Sequence, residues 1–463
     1  MKFNPFPENP VELTDISASG KAVGRIDGKP VFVEGGVPGD VVLVRILKSK
    51  KDFAEAKVIE VITPSPQRIE PICAHFGTCG GCKWQHFDYD TQLHYKEKQV
   101  KETLRRIGNI EAREFLPILP SPQTTFYRNK LDFSFSEKPW IADLNSAPEF
   151  PEPALGFHVP GCFDKVLNID HCHLMQEPAN RIRNFVRSYA LEKNLTFNNQ
   201  KAHTGFLRQL ILRSNRAGEF MIILVCSANK QEVIEDLLNA VQQTFSEVVS
   251  IFYSVTDKKN DSTGDLEMVH FFGKEFLIET LGGLQFRIHP KSFFQTNPEQ
   301  AENLFQRTLD FAEIKSTDLV FDLYCGTGSI SLLAAQKAKQ VLGLEYVEEA
   351  IADARINAAT NGITNAQFLA GDLKELLNEK LIEQFGSPDL IITDPPRVGM
   401  HPDVVASILQ IAPPRIVYVS CNPATQARDL GLLSANYSVA KVQPVDMFPH
   451  TQHVESVALL LRN

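Results

Sequence analysis

No run in the 463-residue chain approaches the roughly 18 consecutive apolar positions of a membrane-spanning helix. The opening stretch MKFNPFPENPVELTD has no apolar core suited to a secretory leader, so a cytoplasmic protein without a membrane partner is expected. Cysteine is sparse: eight in a chain of this length are too few for a disulfide framework, so each is a buried thiol, a metal ligand or a nucleophile. Positive charge is also short, with 47 Lys and Arg against 56 Asp and Glu and a net charge of -9. That excludes broad coating of nucleic acid, because nonspecific affinity comes from cations neutralising phosphates, and it confines any RNA contact to local patches. Internal repeats and long low-complexity segments are missing as well. What remains is an ordinary globular composition, 43% hydrophobic and 22% charged, long enough for two to four domains.

Residues 11 to 63 alternate apolar and polar positions in short runs (VELTDIS, KPVFVEG, DVVLVRIL, EAKVIEVI) broken by glycines, which predicts about five strands in a small barrel. The stretch RILKSKK carries Arg45, Lys48, Lys50 and Lys51 without an intervening acid and reads either as a solvated loop or as an RNA contact. TPSPQRIEP, with Pro64, Pro66 and Pro71, reads as a linker. A mixed region follows to about residue 290, with helical periodicity in YKEKQVKETLRRIG and VIEDLLNAVQQTF and strand-like runs LDFSFS, RQLILRS and FMIILVCS. Its run KAHTGFLRQLILRSNR offers Lys201, Arg208, Arg213 and Arg216 as a second basic surface. Beyond residue 300 apolar strands alternate with amphipathic helices, the mark of a doubly wound α/β domain. The expected fold is therefore α/β, with a β-barrel over 1–64, an α+β middle domain over 65–290 and a Rossmann-like domain over 291–463.

In that last domain the strand LVFDL runs through YCGTGS into the helix former ISLLAAQKA. A glycine turn between strand and helix is where an open α/β sheet binds its ligand. Asp322, Tyr324, Gly326, Gly328 and Ser329 are the candidate cofactor residues of this turn. The third glycine of a dinucleotide fingerprint is replaced by Ser331, which favours adenosylmethionine over NAD. Glu345, 23 residues after Asp322, ends the next strand where a carboxylate could take both ribose hydroxyls. Asp372 follows a third apolar run and could lie beside adenine; as single residues, such acids are more often helix caps.

Three further motifs carry the chemistry: ITDPPRVG at 392–399, VSCNPAT at 419–425 and FPHTQHVESVALLL at 448–461. Together they resemble the RNA uridine-5-methyltransferase family, in particular its bacterial 23S ribosomal RNA branch, and residues 1–63 resemble the TRAM barrel found at the start of many members. The resemblance implies adenosylmethionine as methyl donor and RNA as partner; a monomer is expected. Carbon 5 of uracil is a poor nucleophile, so an enzyme must raise its electron density, and a thiolate adding to carbon 6 does this. Cys421, closing the strand IVYVS, is the candidate nucleophile. Carbon 5 must afterwards lose a proton to a base. Glu455 matches the family's base, with His450 and His453 next in line. Asp394 and Arg397 would hold the uracil edge or the cofactor amine. The resemblance also matches Gln295 to a cofactor contact and makes Phe293 a candidate to stack on an RNA base.

Cys73, Cys79 and Cys82 form C-x5-C-x2-C, a spacing that gathers three thiolates and needs a fourth from Cys172 or Cys162. The family places its fourth cysteine after a segment corresponding to GFHVPGCFDKVLNIDHC, so the resemblance favours Cys172, with Cys162 as the alternative. Four thiolates suit a [4Fe-4S] cluster or zinc; the resemblance implies the cluster, in a structural role. Two other readings are open. Enzymes that methylate adenine N6 also carry DPP, although with an aromatic residue where Arg397 stands, and a non-catalytic RNA-binding protein could retain the same fold.

Overall fold

The computed structural model describes residues 10–141, 148, 149 and 151–463. The first unit is a closed five-stranded barrel formed by Val11–Ile16, Ala22–Ile26, Lys29–Glu34, Val41–Ser49 and Ala54–Thr63. Period-two alternation sends Leu13, Val31, Val33, Val42, Val44 and Ala56 inward, where they fill the small interior. Arg45 and Lys48 stand on the fourth strand and Lys50 and Lys51 in the turn after it, all exposed, so only half of that basic stretch is loop. The proline-rich linker is pinned down: Arg68 meets the buried Asp40 at 2.5 Å, and Ser65 donates its backbone N–H to the same carboxylate at 2.8 Å.

A seven-stranded sheet forms the middle of the molecule, in spatial order Val269–Gly273, Val248–Val255, Phe220–Cys226, Leu207–Ser214, Lys130–Ser136, Ala154–Val159 and Cys162–Asn168. Helices Ala179–Glu192 and Gln231–Thr244 join its core through Ile182, Val186, Ile234 and Leu238. The basic run on this sheet does not form a free cationic face. Arg208 is buried and donates to the carbonyls of Lys258 and Asn260, Arg213 donates to Ser292 O at 2.8 Å, and Arg216 pairs with Glu302 at 2.8 Å. An arginine fork presents several donors in one plane, so it ties loops together more readily than a lysine, and here these forks serve the fold.

The third unit is an eight-stranded sheet: Ala366–Ala370, Gln340–Glu345, Leu319–Leu323, Leu390–Thr393, Arg415–Ser420, Glu455–Arg462, Tyr437–Val445 and Glu114–Phe115. The first five run parallel, and Glu455–Arg462 is antiparallel to both its neighbours. Its edge strand comes from far upstream. The helix Tyr89–Gly108, which precedes that strand, packs Val100 and Leu104 into the same core as Ala427 and Leu430 of the helix Pro423–Leu433. The approach is close enough that a Cβ at Gly108 would stand 2.4 Å from Ala427 O. Among the described residues, no helix is long and apolar enough to cross a membrane.

Candidate active site

The parallel strands end along one edge, and the sequence-selected residues collect there. Asp322, buried on the strand Leu319–Leu323, receives a hydrogen bond from Ser331 Oγ at 2.5 Å, while its Oδ1 is buried without a partner. Burial, with Asp394 and Glu345 nearby, pushes its carboxyl up to about 7. The serine in place of a third glycine thus anchors the acid of the turn. Tyr324 takes a left-handed φ of 62°, Gly326 one of 54° and Gly328 one of 83°, so the chain turns sharply before the helix that begins at Ser329. A Cβ on Gly326 would meet nothing within 4 Å, so space is open over the turn. Glu345 closes one rim by accepting from the N–H groups of Gly326 (3.1 Å) and Val347 (3.0 Å). An unpartnered carboxylate oxygen, an open glycine face and a carboxylate at the next strand end fit a ligand bearing an ammonium group and ribose hydroxyls. Asp372 caps the turn Leu373–Leu376 by accepting from Lys374 N–H at 3.0 Å; with the Lys374 ammonium this holds its carboxyl below the usual range.

Two strands along, strand register assembles the second half of the site. Ser420 pairs with Ser456 across the antiparallel ladder, which sets Cys421 opposite Glu455. Both face Asp394, which follows the strand Leu390–Thr393 and influences the ionisation of each. Burial pushes the Glu455 carboxyl up to about 8 and that of Asp394 up to about 7. The Cys421 thiol is pushed up to about 11 by burial and by Glu455 and Asp394; Arg397 opposes the shift at Cys421 and Glu455. The DPPR loop is tied to the CNPAT loop by Asn422 Nδ2 and Thr425 Oγ1, both donating to Arg397 O at 2.9 and 3.2 Å. Phe293 is 74% exposed. Its segment is held on either side, by Arg213 at Ser292 O and by Asn129 Nδ2 donating to Gln295 O at 3.2 Å.

Several functional supports had no reading in the sequence. Gln92 accepts from His450 N–H at 2.8 Å and donates to Trp84 O and Phe87 O, both at 3.0 Å. Lys96, fully buried, meets Asp446 at 2.5 Å and Phe448 O at 3.0 Å, and Tyr89 OH donates to Asp446 at 2.9 Å. His450 O receives the N–H groups of Lys83 and Trp84, so the loop leading to Glu455 rests on the cysteine segment. Spacing of four along Gln92, Lys96, Val100 and Leu104 was the available signal, since it puts the two polar residues on the helix's buried stripe. Burial pushes His450 and His453 down to about 4, leaving both neutral.

Cys73, Cys79, Cys82 and Cys172 line one cavity, and Cys162 lies outside that lining. Burial pushes Cys79 up to about 11 and Cys82 up to about 12, with the neighbouring thiols adding to both shifts. Coordination would relieve that penalty, because a ligated thiol gives up its proton. Among the described residues, no three His, Cys, Asp or Glu side chains are drawn together tightly enough to hold a single metal ion.

A doubly wound sheet with this glycine turn and these acidic strand ends defines an adenosylmethionine-dependent methyltransferase. Comparison with known proteins agrees. Residues 271–463 match the family described as tRNA (Uracil-5-)-methyltransferase, and residues 5–59 match the TRAM domain. The chain is 49% identical over 451 residues to an RNA methyltransferase of Bacteroides thetaiotaomicron, covering 96% of this chain and 99% of that protein. It is 47% identical to one of Porphyromonas gingivalis, covering 98% and 100%. The crystal structure of a Pyrococcus abyssi tRNA (uracil-54, C5)-methyltransferase with S-adenosyl-L-homocysteine superimposes with a TM-score of 0.77 at 30% identity, over 98% of this chain and all of that one. The chain belongs to the RNA uracil-5-methyltransferase family; it is an RNA-binding, adenosylmethionine-dependent enzyme.

Proposed function

We propose that the enzyme methylates carbon 5 of a uridine through a covalent adduct between Cys421 and uracil carbon 6. The observation that carries this reading is the ladder register that sets Cys421 opposite Glu455 with Asp394 beside both. The Cys421 thiol releases its proton to solvent, and the thiolate adds to carbon 6, moving electron density onto carbon 5 and O4. When bound, adenosylmethionine supplies the electrophilic methyl group. Glu455 then takes the proton from carbon 5, the carbon 5–carbon 6 double bond re-forms, and the thiolate leaves. Arg397 favours the ionised forms of Cys421 and Glu455, against the burial that holds both protonated in the free site. Asp322, Tyr324, Gly326, Gly328, Ser329, Glu345, Asp372 and Gln295 would hold the cofactor. Asp394 and Arg397 orient the uracil edge, and Phe293 stacks on a base.

The cysteine loop is read as a [4Fe-4S] site with Cys172 as fourth ligand, in support of the loop it carries. Four thiols lining one cavity could serve a cluster or zinc, and the sequence resemblance is what favours the cluster. Anaerobically purified protein should be brown with about four irons per chain, and Cys79→Ser should lose the colour; stoichiometric zinc would overturn this assignment. The target is a uridine of 23S ribosomal RNA, as the sequence resemblance implies, with the enzyme acting as a monomer in the cytoplasm. A transfer RNA target is the second reading, favoured by the similarity to the Pyrococcus abyssi tRNA enzyme. Mapping 5-methyluridine in both RNAs of a deletion strain decides between them. A stable adduct with 5-fluorouridine RNA tests the covalent step, and failure to form one removes it.

A further inference from the structure

The strand Leu207–Ser214 has two ends with different fates. At one, Arg213 holds Ser292 beside Phe293. At the other, about 17 Å away at five residues per extended strand, Arg208 borders a cavity of about 440 Å³ that the chemistry above does not use. Its lining includes Thr204, Lys230, Asp257 and the amides of Asn198 and Gln200, groups of the kind that read base edges, although the two amides bond to each other at 2.7 Å and would exchange that bond for one to a base. The volume is within the range of small-ligand sites. The loop that forms one wall also carries Lys201, whose ammonium stands 5.6 Å from the centre of the Phe163 ring and 2.7 Å from Asp164. Phe163 sits on the edge strand Cys162–Asn168 with 64% of its surface exposed, among the most exposed large apolar side chains of the described residues.

An exposed ring backed by an ammonium next to a polar cavity is the combination that takes up an unpaired nucleotide: the ring stacks on the base, the cation meets the phosphate and the amides contact the base edge. We propose that Phe163, Lys201 and the adjoining cavity form a second RNA contact, holding a single-stranded nucleotide of the substrate outside the segment that carries the target uridine. This site lies at the Leu207 end of that strand, away from the Arg213 end that meets Ser292. It adds a local contact to a protein of net charge -9 whose Arg208, Arg213 and Arg216 are occupied internally, with Lys201 exchanging its Asp164 partner for a phosphate. The proposal needs RNA to be the substrate; it does not depend on the Cys421 adduct.

The test is binding of a fluorescein-labelled 16-nucleotide oligouridylate, followed by anisotropy without cofactor, for wild type, Phe163→Ala, Phe163→Tyr and Lys230→Gln. Loss of one stacked base weakens binding roughly fivefold to a hundredfold, so Phe163→Ala should fall in that range, Phe163→Tyr should keep wild-type affinity and Lys230→Gln should lower the salt slope by about one. On substrate RNA, Phe163→Ala should raise KM and leave kcat unchanged. A 4-thiouridine version of the probe should crosslink wild type within residues 158–206, an outcome independent of how the variants fold. Affinities within twofold of wild type for Phe163→Ala and Lys230→Gln, or crosslinks confined to the barrel and catalytic units, would overturn it.

Discussion

Around Asp446 every buried charge has its counterpart: Lys96 on one oxygen, Tyr89 on the other, and Gln92 satisfying the neighbouring His450 backbone. Further along the same segment lies the buried Glu455, with Asp394 beside it and the buried Asp322 on the strand next to that of Asp394; Asp322 keeps an orphaned oxygen, and all three carboxyls are pushed up to about 7 or 8. Burying a polar group without a partner costs free energy, so an orphaned carboxylate oxygen beside an open glycine turn is a place where a bound ligand can supply the partner. The Lys96, Asp446 and Tyr89 groups of the first cluster are partnered within the protein and hold it together. In the proposed mechanism the second is completed by its substrates, and raised carboxyl pKa values in a cleft are a physical mark of a functional site.

The sharpest way to break this contrast is at the incomplete cluster. Cys421→Ala should reduce methyl transfer to background while adenosylmethionine affinity, measured by calorimetry, stays near wild type; substantial residual turnover would remove the covalent mechanism. Glu455→Gln differs in kind, because addition and methylation can proceed but the carbon 5 proton has no acceptor. It should accumulate a protein–RNA adduct visible on denaturing gels. In the wild type, turnover of bound RNA should rise with pH through about 8 as Glu455 ionises. At the complete cluster the effects fall on stability: Lys96→Met leaves Asp446 buried without its cation and should cost about 3–5 kcal/mol in urea titrations, whereas Lys96→Met with Asp446→Leu should cost less.

A smaller effect separates the clusters by pH. Asp394 and Glu455 have folded pKa values well above the unfolded value of roughly 4. Their favourable contribution is full below that unfolded value and is lost as pH rises through the folded values of about 7 and 8. The wild-type melting temperature should therefore drop across that window, and Asp394→Asn should flatten the drop. The smallest effect concerns charges that are not buried at all. Neutralising Arg45, Lys48, Lys50 and Lys51 should weaken RNA binding and lower its salt slope by about one per lost contact, with the chemical step unchanged.

The sequence was legible where chemistry and local structure share a short window. The glycine turn at Gly326, the DPPR and CNPAT loops and the alternating barrel strands are each specified within about ten residues. Pairings across long sequence distances were not legible. Nothing local announces that Glu114–Phe115 would join a sheet whose neighbouring strand begins at Tyr437, or that Arg208 and Arg213 would turn inward, because a guanidinium in a strand looks the same whether it meets phosphate or a carbonyl. Asp372 shows the ambiguity directly: the acid chosen for adenine also caps its own helical turn.

The indole of Trp84 is fully buried and donates to Gly20 O of the barrel at 3.0 Å, while a Cβ at Gly20 would stand 2.9 Å from that of Gln452. Excising the barrel would therefore strip a wall from the loop that presents Glu455 as well as removing an RNA handle, and a lower affinity in such a truncation would mix the two injuries. A barrel borrowed from another protein would need a residue without a side chain at that turn before it could be grafted here.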